Sequence, residues 1–131
     1  MTSTQVQYWV VTEYHSLGSL HSYLTEHVLT PAECLTFCLS ISRGLQHLHC
    51  EIIGTCRFGD QVKPAVAHRD MKSSNILIAS AGFCIICDFG LSITAGETMD
   101  SNGDNKCGTR RYMPPEMFDD TFRGNIFSRF I

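Results

Sequence analysis

Ala67-His68-Arg69-Asp70-Met71-Lys72-Ser73-Ser74-Asn75-Ile76-Leu77 sets a carboxylate, then a cation, then a side-chain amide into one short segment. A second acidic group follows at Asp88-Phe89-Gly90. Between them lie an apolar run, Ile76-Leu77-Ile78, a turn at Ala81-Gly82, and a second run, Phe83-Cys84-Ile85-Ile86-Cys87. Two β-rich runs around a Gly-containing turn predict a β-hairpin. That hairpin carries Asn75 and Asp88 to the same end of a two-stranded ribbon, so two side chains able to ligate a metal converge. A single Asp or Asn in a loop is ordinarily a turn former. Their occurrence in this order, around one hairpin, argues for a joint site.

The arrangement resembles a protein kinase, in which H-R-D-x-K-x-x-N is the catalytic loop and D-F-G the metal loop. The resemblance implies transfer of the γ-phosphate of ATP, with Mg²⁺ as the cofactor ion and Mn²⁺ as its substitute. It assigns Asp70 to the attacking hydroxyl, Lys72 to the transferring phosphate, and Asn75 and Asp88 to the metal. The Thr109 hydroxyl is expected to bond Asp70 and Lys72, an arrangement of serine/threonine kinases.

With 131 residues, 44% of them apolar, the chain is one small domain or a piece of a larger one. A net charge of −3 gives no footing for nucleic-acid binding. No apolar stretch is long enough to cross a bilayer, and Met1-Thr2-Ser3-Thr4-Gln5 lacks the basic start of a signal peptide. The seven cysteines are an odd number without framework spacing, and read as reduced core thiols of a cytosolic domain. Cys84 and Cys87 have C-x-x-C spacing but no second pair, so packing is the expectation there, not zinc.

In chain order, Gln7–Tyr14 is rich in aromatic and β-branched residues and predicts a strand. Gly18 marks a turn, and Ser19 caps a short helix through Leu24. In a kinase these are the last N-lobe strand, the hinge and the first C-lobe helix. That places Thr12, Glu13, His15, Ser19 and Leu77 around the nucleotide. Thr30-Pro31-Ala32-Glu33 is a capping box with Pro at the first helical position. The helix it starts is expected to end near His49 and to bury Leu35, Cys38, Leu39, Ser42, Leu45 and Leu48. His47 and His49 read as residues of that helix, not ligands. Glu51 to Ala67 reads as a loop. The polar run Gly96–Lys106 reads as an activation segment, mobile unless tied down. It closes at Gly108–Glu116, where Pro114 stands in place of the Ala of the usual A-P-E; the carboxylate of Glu116 is kept.

Several segments are similar to the type I receptor serine/threonine kinases of the TGF-β/activin/BMP superfamily. They are Thr12-Glu13-Tyr14-His15, Glu51–Thr55, Lys63–Asp70, Gly108–Met113 and Pro115–Thr121 with Asn125-Ile126-Phe127. Asp88-Phe89-Gly90, with Cys87 before it and Leu91-Ser92 after, is instead similar to type II members. The expected fold is α+β and kinase-like. Residues 1–131 form a partial kinase domain, with 1–15 the last N-lobe strand and hinge and 16–131 the first part of the C-lobe. No Gly-rich loop and no V-A-I-K lysine precede Tyr8, so the chain alone is expected to be inactive. It also stops at Phe130-Ile131, which is expected to leave the long helix with an exposed apolar face. The resemblance implies a single-pass membrane receptor that joins a type II or type I partner receptor and phosphorylates Smad-type proteins. The alternatives are an inert interaction module and a kinase of another Ser/Thr family, such as the Raf-like group.

Overall fold

Thr30 opens the longest described element, helix α2 (Pro31–His49). Its hydroxyl accepts the Glu33 N–H at 3.3 Å while the Glu33 carboxylate accepts the Thr30 N–H at 2.8 Å. Two donors that the first turn leaves unpaired are thereby satisfied, and Pro31 has none to satisfy. The shorter helix α1 (Leu20–Glu26) is capped by the Ser19 hydroxyl, which accepts the Ser22 N–H at 3.2 Å. Both starts fall where the sequence puts them. The computed structural model describes residues 9–53, 62–79, 82–95 and 107–118.

Among the described residues, six short strands pair antiparallel as three ribbons: β1 (Ile52–Ile53) with β2 (Val62–Lys63), β3 (Val66–Ala67) with β6 (Ile93–Thr94), and β4 (Ile76–Ile78) with β5 (Cys84–Ile86). The β4–β5 hairpin is the one expected, in the register Ile76↔Ile86, Leu77↔Ile85, Ile78↔Cys84. Gly82 takes a φ of +77°, which a residue without Cβ adopts at little cost. The core lies between this hairpin and α2, with Phe37, Ile76 and Ile78 buried. Ser40 fixes the contact: its hydroxyl donates to the Cys84 carbonyl at 3.2 Å and accepts the Cys84 N–H at 2.9 Å. At Gly44 a methyl would come within 3.0 Å of the Ile86 side chain, so helix and strand are in close approach there.

This packing corrects the expected buried face of α2. Leu35 is 71% and Leu39 53% exposed, with Cys38 and Ser42 also exposed. The face turned inward is Phe37, Ser40, Ile41, Gly44, Leu45 and Leu48. Spacings of three and four fit both stripes, because the apolar residues of the helix lie on more than one of its faces. The Ser40 and Gly44 contacts with β5 choose between them, and Leu45 and Leu48 belong to both. The cysteines are corrected with it: Cys34, Cys38 and Cys50 are exposed thiols and not core residues.

Two further expectations change. Trp9–Tyr14 forms no strand; Trp9, Val10, Val11 and Tyr14 are exposed, and no described segment runs alongside to complete a ladder. A β-rich composition without a partner backbone makes no sheet. Within 51–67, read as loop, lie β1, β2 and β3; strands of two residues are too short to show an alternating pattern. The polar run 96–106 lies outside the described residues, as do Gln7, Tyr8 and the side chain of Glu116. No described helix is long and apolar enough to cross a membrane.

Candidate active site

Asp70 is the hub of the site, 7% exposed and surrounded by donors. Lys72 Nζ donates to one carboxylate oxygen at 2.5 Å, and Asn75 Nδ2 donates to the same oxygen at 3.1 Å. The Thr109 N–H donates to the other at 2.7 Å. Lys72 Nζ also reaches the Thr109 hydroxyl at 2.7 Å, so the residue 37 positions downstream is locked to the loop. Burial pushes the Asp70 carboxyl up, but bonds from the Lys72 ammonium and from the hydroxyl and N–H of Thr109 outweigh it. They bring it down from 3.8 to about 2. The expected trio of Asp70, Lys72 and Thr109 is assembled, with one refinement: the Thr109 backbone contributes as well as its hydroxyl.

Asn75 ends a 3₁₀ turn, Ser73–Asn75, directly before β4. Its amide nitrogen is committed to Asp70, at 3.0 Å from the backbone oxygen as well as to the carboxylate, so its oxygen faces elsewhere. Asp88 follows β5 and is exposed, with a φ of +63°. The Cys87 N–H donates to the Asn75 carbonyl at 2.9 Å, so the hairpin does bring Asn75 and Asp88 to one end. An amide oxygen and an exposed carboxylate are the hard donors that Mg²⁺ takes, which fits the implied ion.

Three residues that the sequence reading left without a role build this geometry. His68, 2% exposed, donates from Nε2 to the Cys87 carbonyl at 2.8 Å and accepts the Asp70 N–H on Nδ1 at 3.3 Å. Its ring also lies against Phe89, 5.1 Å between centroids. Arg69 holds a φ of +64° and donates from Nε to the Leu91 carbonyl. Backbone strain of this kind in non-glycine residues concentrates at functional sites. Gly108, at φ +110°, lies so near the Arg69 carbonyl that a methyl there would overlap it. Only the H-R-D and G-T signatures themselves could have drawn attention to these positions.

The remaining expected residues are set apart. Thr12 and Glu13 are exposed, and the Thr12 hydroxyl lies 3.4 Å from the Glu13 carbonyl. The His15 carbonyl accepts the Gly18 N–H at 3.1 Å, closing a turn. Ser19 and Leu77 do meet, through a backbone bridge, and the Ile78 N–H donates to the Gly18 carbonyl at 2.9 Å. The turn before α1 is thus stitched to β4, the strand that directly follows Asn75. Below the loop a cleft of about 280 Å³ is lined by Leu45, His49, Ala67, Asp70, Tyr112 and Met113 among others.

The sequence profile of the protein kinase domain matches residues 1–126. The chain belongs to the protein kinase family. It is 48% identical over 130 residues to human activin receptor type-1C, a match covering 97% of this chain and 25% of the receptor. To human activin receptor type-1 it is 43% identical over 135 residues, covering 99% and 26%. To human TGF-beta receptor type-1 it is 43% identical over 130 residues, covering 97% and 25%. The chain therefore spans about a quarter of the length of these relatives, and the expected likeness to type I receptors holds despite Phe89.

Proposed function

We propose that this chain is the acceptor-activating and metal-binding part of a receptor serine/threonine kinase of the TGF-β/activin type I kind. The observation that carries the reading is the set of donors converging on Asp70. A carboxyl held near 2 is too weak a base to strip a hydroxyl in advance. It orients the acceptor by taking its hydrogen bond, and receives the proton only as the new O–P bond forms, which suits a loose phosphoryl-transfer transition state. Lys72, held between Asp70 and Thr109, supplies a fixed cation beside the moving phosphoryl group. Thr109 at that position favours Ser/Thr acceptors. Asn75 and Asp88 hold the metal, and Mg²⁺, when bound, neutralises charge on the phosphate oxygens. Thr12, Glu13, His15, Ser19 and Leu77 form the nucleotide side, with residues 1–15 as the N-lobe end and hinge and 16–131 as the first part of the C-lobe.

By likeness to the type-1 receptors, the larger protein is membrane-anchored, pairs with a partner receptor and acts on Smad-type substrates. The 131 residues contain no G-x-G-x-x-G, so the grip on the α- and β-phosphates lies outside them and the chain alone is inert. The test grafts residues 1–131 over the matching stretch of human activin receptor type-1C. With labelled ATP the chimera should phosphorylate serine or threonine peptides, its Asp70→Asn form should not, and the bare chain should give a blank. A folded chimera without transfer overturns the kinase reading. Turnover by the bare chain that Asp70→Asn abolishes overturns its inertness.

A further inference from the structure

Lys63 has a role that the catalytic motifs do not contain. Its ammonium donates to the Leu48 carbonyl at 3.0 Å, to Cys50 at 3.0 Å and to Pro64 at 3.1 Å. Those three bonds use all three ammonium protons. Among the described residues the ion pair is Lys72 with Asp70, so the Lys63 charge is answered by carbonyl dipoles instead of a carboxylate. Two of its acceptors belong to the end of α2, where the last carbonyls have no partner within the helix and the helix dipole is negative. The third, Pro64, opens the segment that runs into Asp70.

From there the path to the site is short and stiff. Lys63 is paired with Ile52 in the β1–β2 ribbon. The Ala65 carbonyl accepts the Ala95 N–H at 2.8 Å, and Ala67 is paired with Ile93. The next residue is His68, whose ring accepts the Asp70 N–H. On the helix side, Leu48 and Cys50 flank His49, which lines the same cleft as Asp70. We infer that Lys63 is a positioning residue for Asp70: its ammonium clamps the end of α2 to the entry of the catalytic loop and thereby sets where that loop lies. The kinetic arm of its test rests on the proposed kinase function; the spectroscopic arm does not.

Lys63→Met keeps the stem and removes the clamp. Lys63→Arg keeps charge and size, but its planar fork cannot converge on three carbonyls around one point, and it covers the case in which Lys63→Met does not fold. Thr30→Ala, which breaks the cap at the far end of the same helix, controls for lost stability alone. Nitrogen-15 NMR of the full chain then follows the Asp70 amide, whose N–H the His68 ring accepts, and the receptor chimera gives kcat and KM. The expected result is a displaced Asp70 amide resonance in both Lys63 variants. In the chimera, kcat should fall about tenfold for Lys63→Met, with KM for ATP within about twofold. Thr30→Ala should lower Tm and leave the Asp70 amide resonance where it was. The inference is overturned if the folded Lys63 variants leave that resonance in place as Thr30→Ala does. If the chimera transfers no phosphate at all, the kinase reading fails while the amide resonance still decides the clamp.

Discussion

Thr109→Val isolates one bond at the hub of the site. The valine retains the volume and the backbone N–H that donates to Asp70 at 2.7 Å, and loses only the hydroxyl shared with Lys72 and the carboxylate. A hydrogen bond to a charged group contributes roughly 1.5–3 kcal/mol, and a neutral one about 1. Lys72 is 21% exposed at its side chain and keeps its 2.5 Å bond to Asp70, so water and the ion pair recover part of the loss. The lower figure, about 1 kcal/mol, is the appropriate one. Spread over the ionised form of Asp70, that raises its midpoint by about 0.7, since one pH unit corresponds to about 1.36 kcal/mol. The carboxyl should therefore move from about 2 toward 3 while staying below 3.8. Carbon-13 NMR of the side-chain carboxyl across pH 1 to 5 measures this directly. Thr109→Ser restores the hydroxyl and should titrate as the native chain does. In the chimera, the same 1 kcal/mol is about a fivefold loss in kcat. A midpoint unmoved by valine, or moved equally by serine, would falsify the structural role. An active Thr109→Glu chimera would place the residue among regulatory phosphosites instead.

Gly108→Ala should cost more than Gly82→Ala, about 2 kcal/mol or more against about 1, as read from urea midpoints. Both take a left-handed φ, but the first meets the fixed Arg69 carbonyl and the second only the Phe37 ring at 3.7 Å. Equal losses would mean the loop at Arg69 yields easily. The folded Asp70 carboxyl lies below its ordinary value, so folding favours the ionised form. Its stabilisation is full above about pH 4 and is lost as pH falls through about 2, a loss that acid titration of the urea midpoint should show and Asp70→Asn should flatten. In the chimera, Asp88→Asn should weaken Mg-ATP binding about tenfold or more, whereas Asp70→Asn should leave it within about twofold. Equal losses by calorimetry would reject the division of roles.

Local signals in the sequence were sufficient wherever one residue's chemistry settles the conformation. Ser19 and Thr30 define helix starts because a side-chain oxygen must meet an orphan N–H, and Gly82 defines a hairpin turn because a β-carbon is disfavoured there. The trio at Asp70 was legible because the motif specifies spacing tightly. The buried face of α2 was not, since its apolar residues cover more than one stripe and the choice rests on Ser40 and Gly44 meeting a strand 44 and 42 residues away. Trp9–Tyr14 misled for a related reason: strand propensity describes a surface awaiting a neighbour. The left-handed backbones of Arg69 and Asp88 leave no trace in composition, because nothing in either side chain demands them.

His68 carries a consequence for how the site responds to mutation. Its imidazole accepts the Asp70 N–H on one side and donates its Nε2–H to the Cys87 carbonyl on the other, so it works as a rigid strut with polarity. Only the uncharged ring, with hydrogen on Nε2, satisfies both ends. Phenylalanine would match its width and neither of its ends. Through this strut the loop of Asp70 and the loop of Asp88 share a single register. An error in one cannot be absorbed silently but is passed to its counterpart, much as two gears on one shaft must turn together.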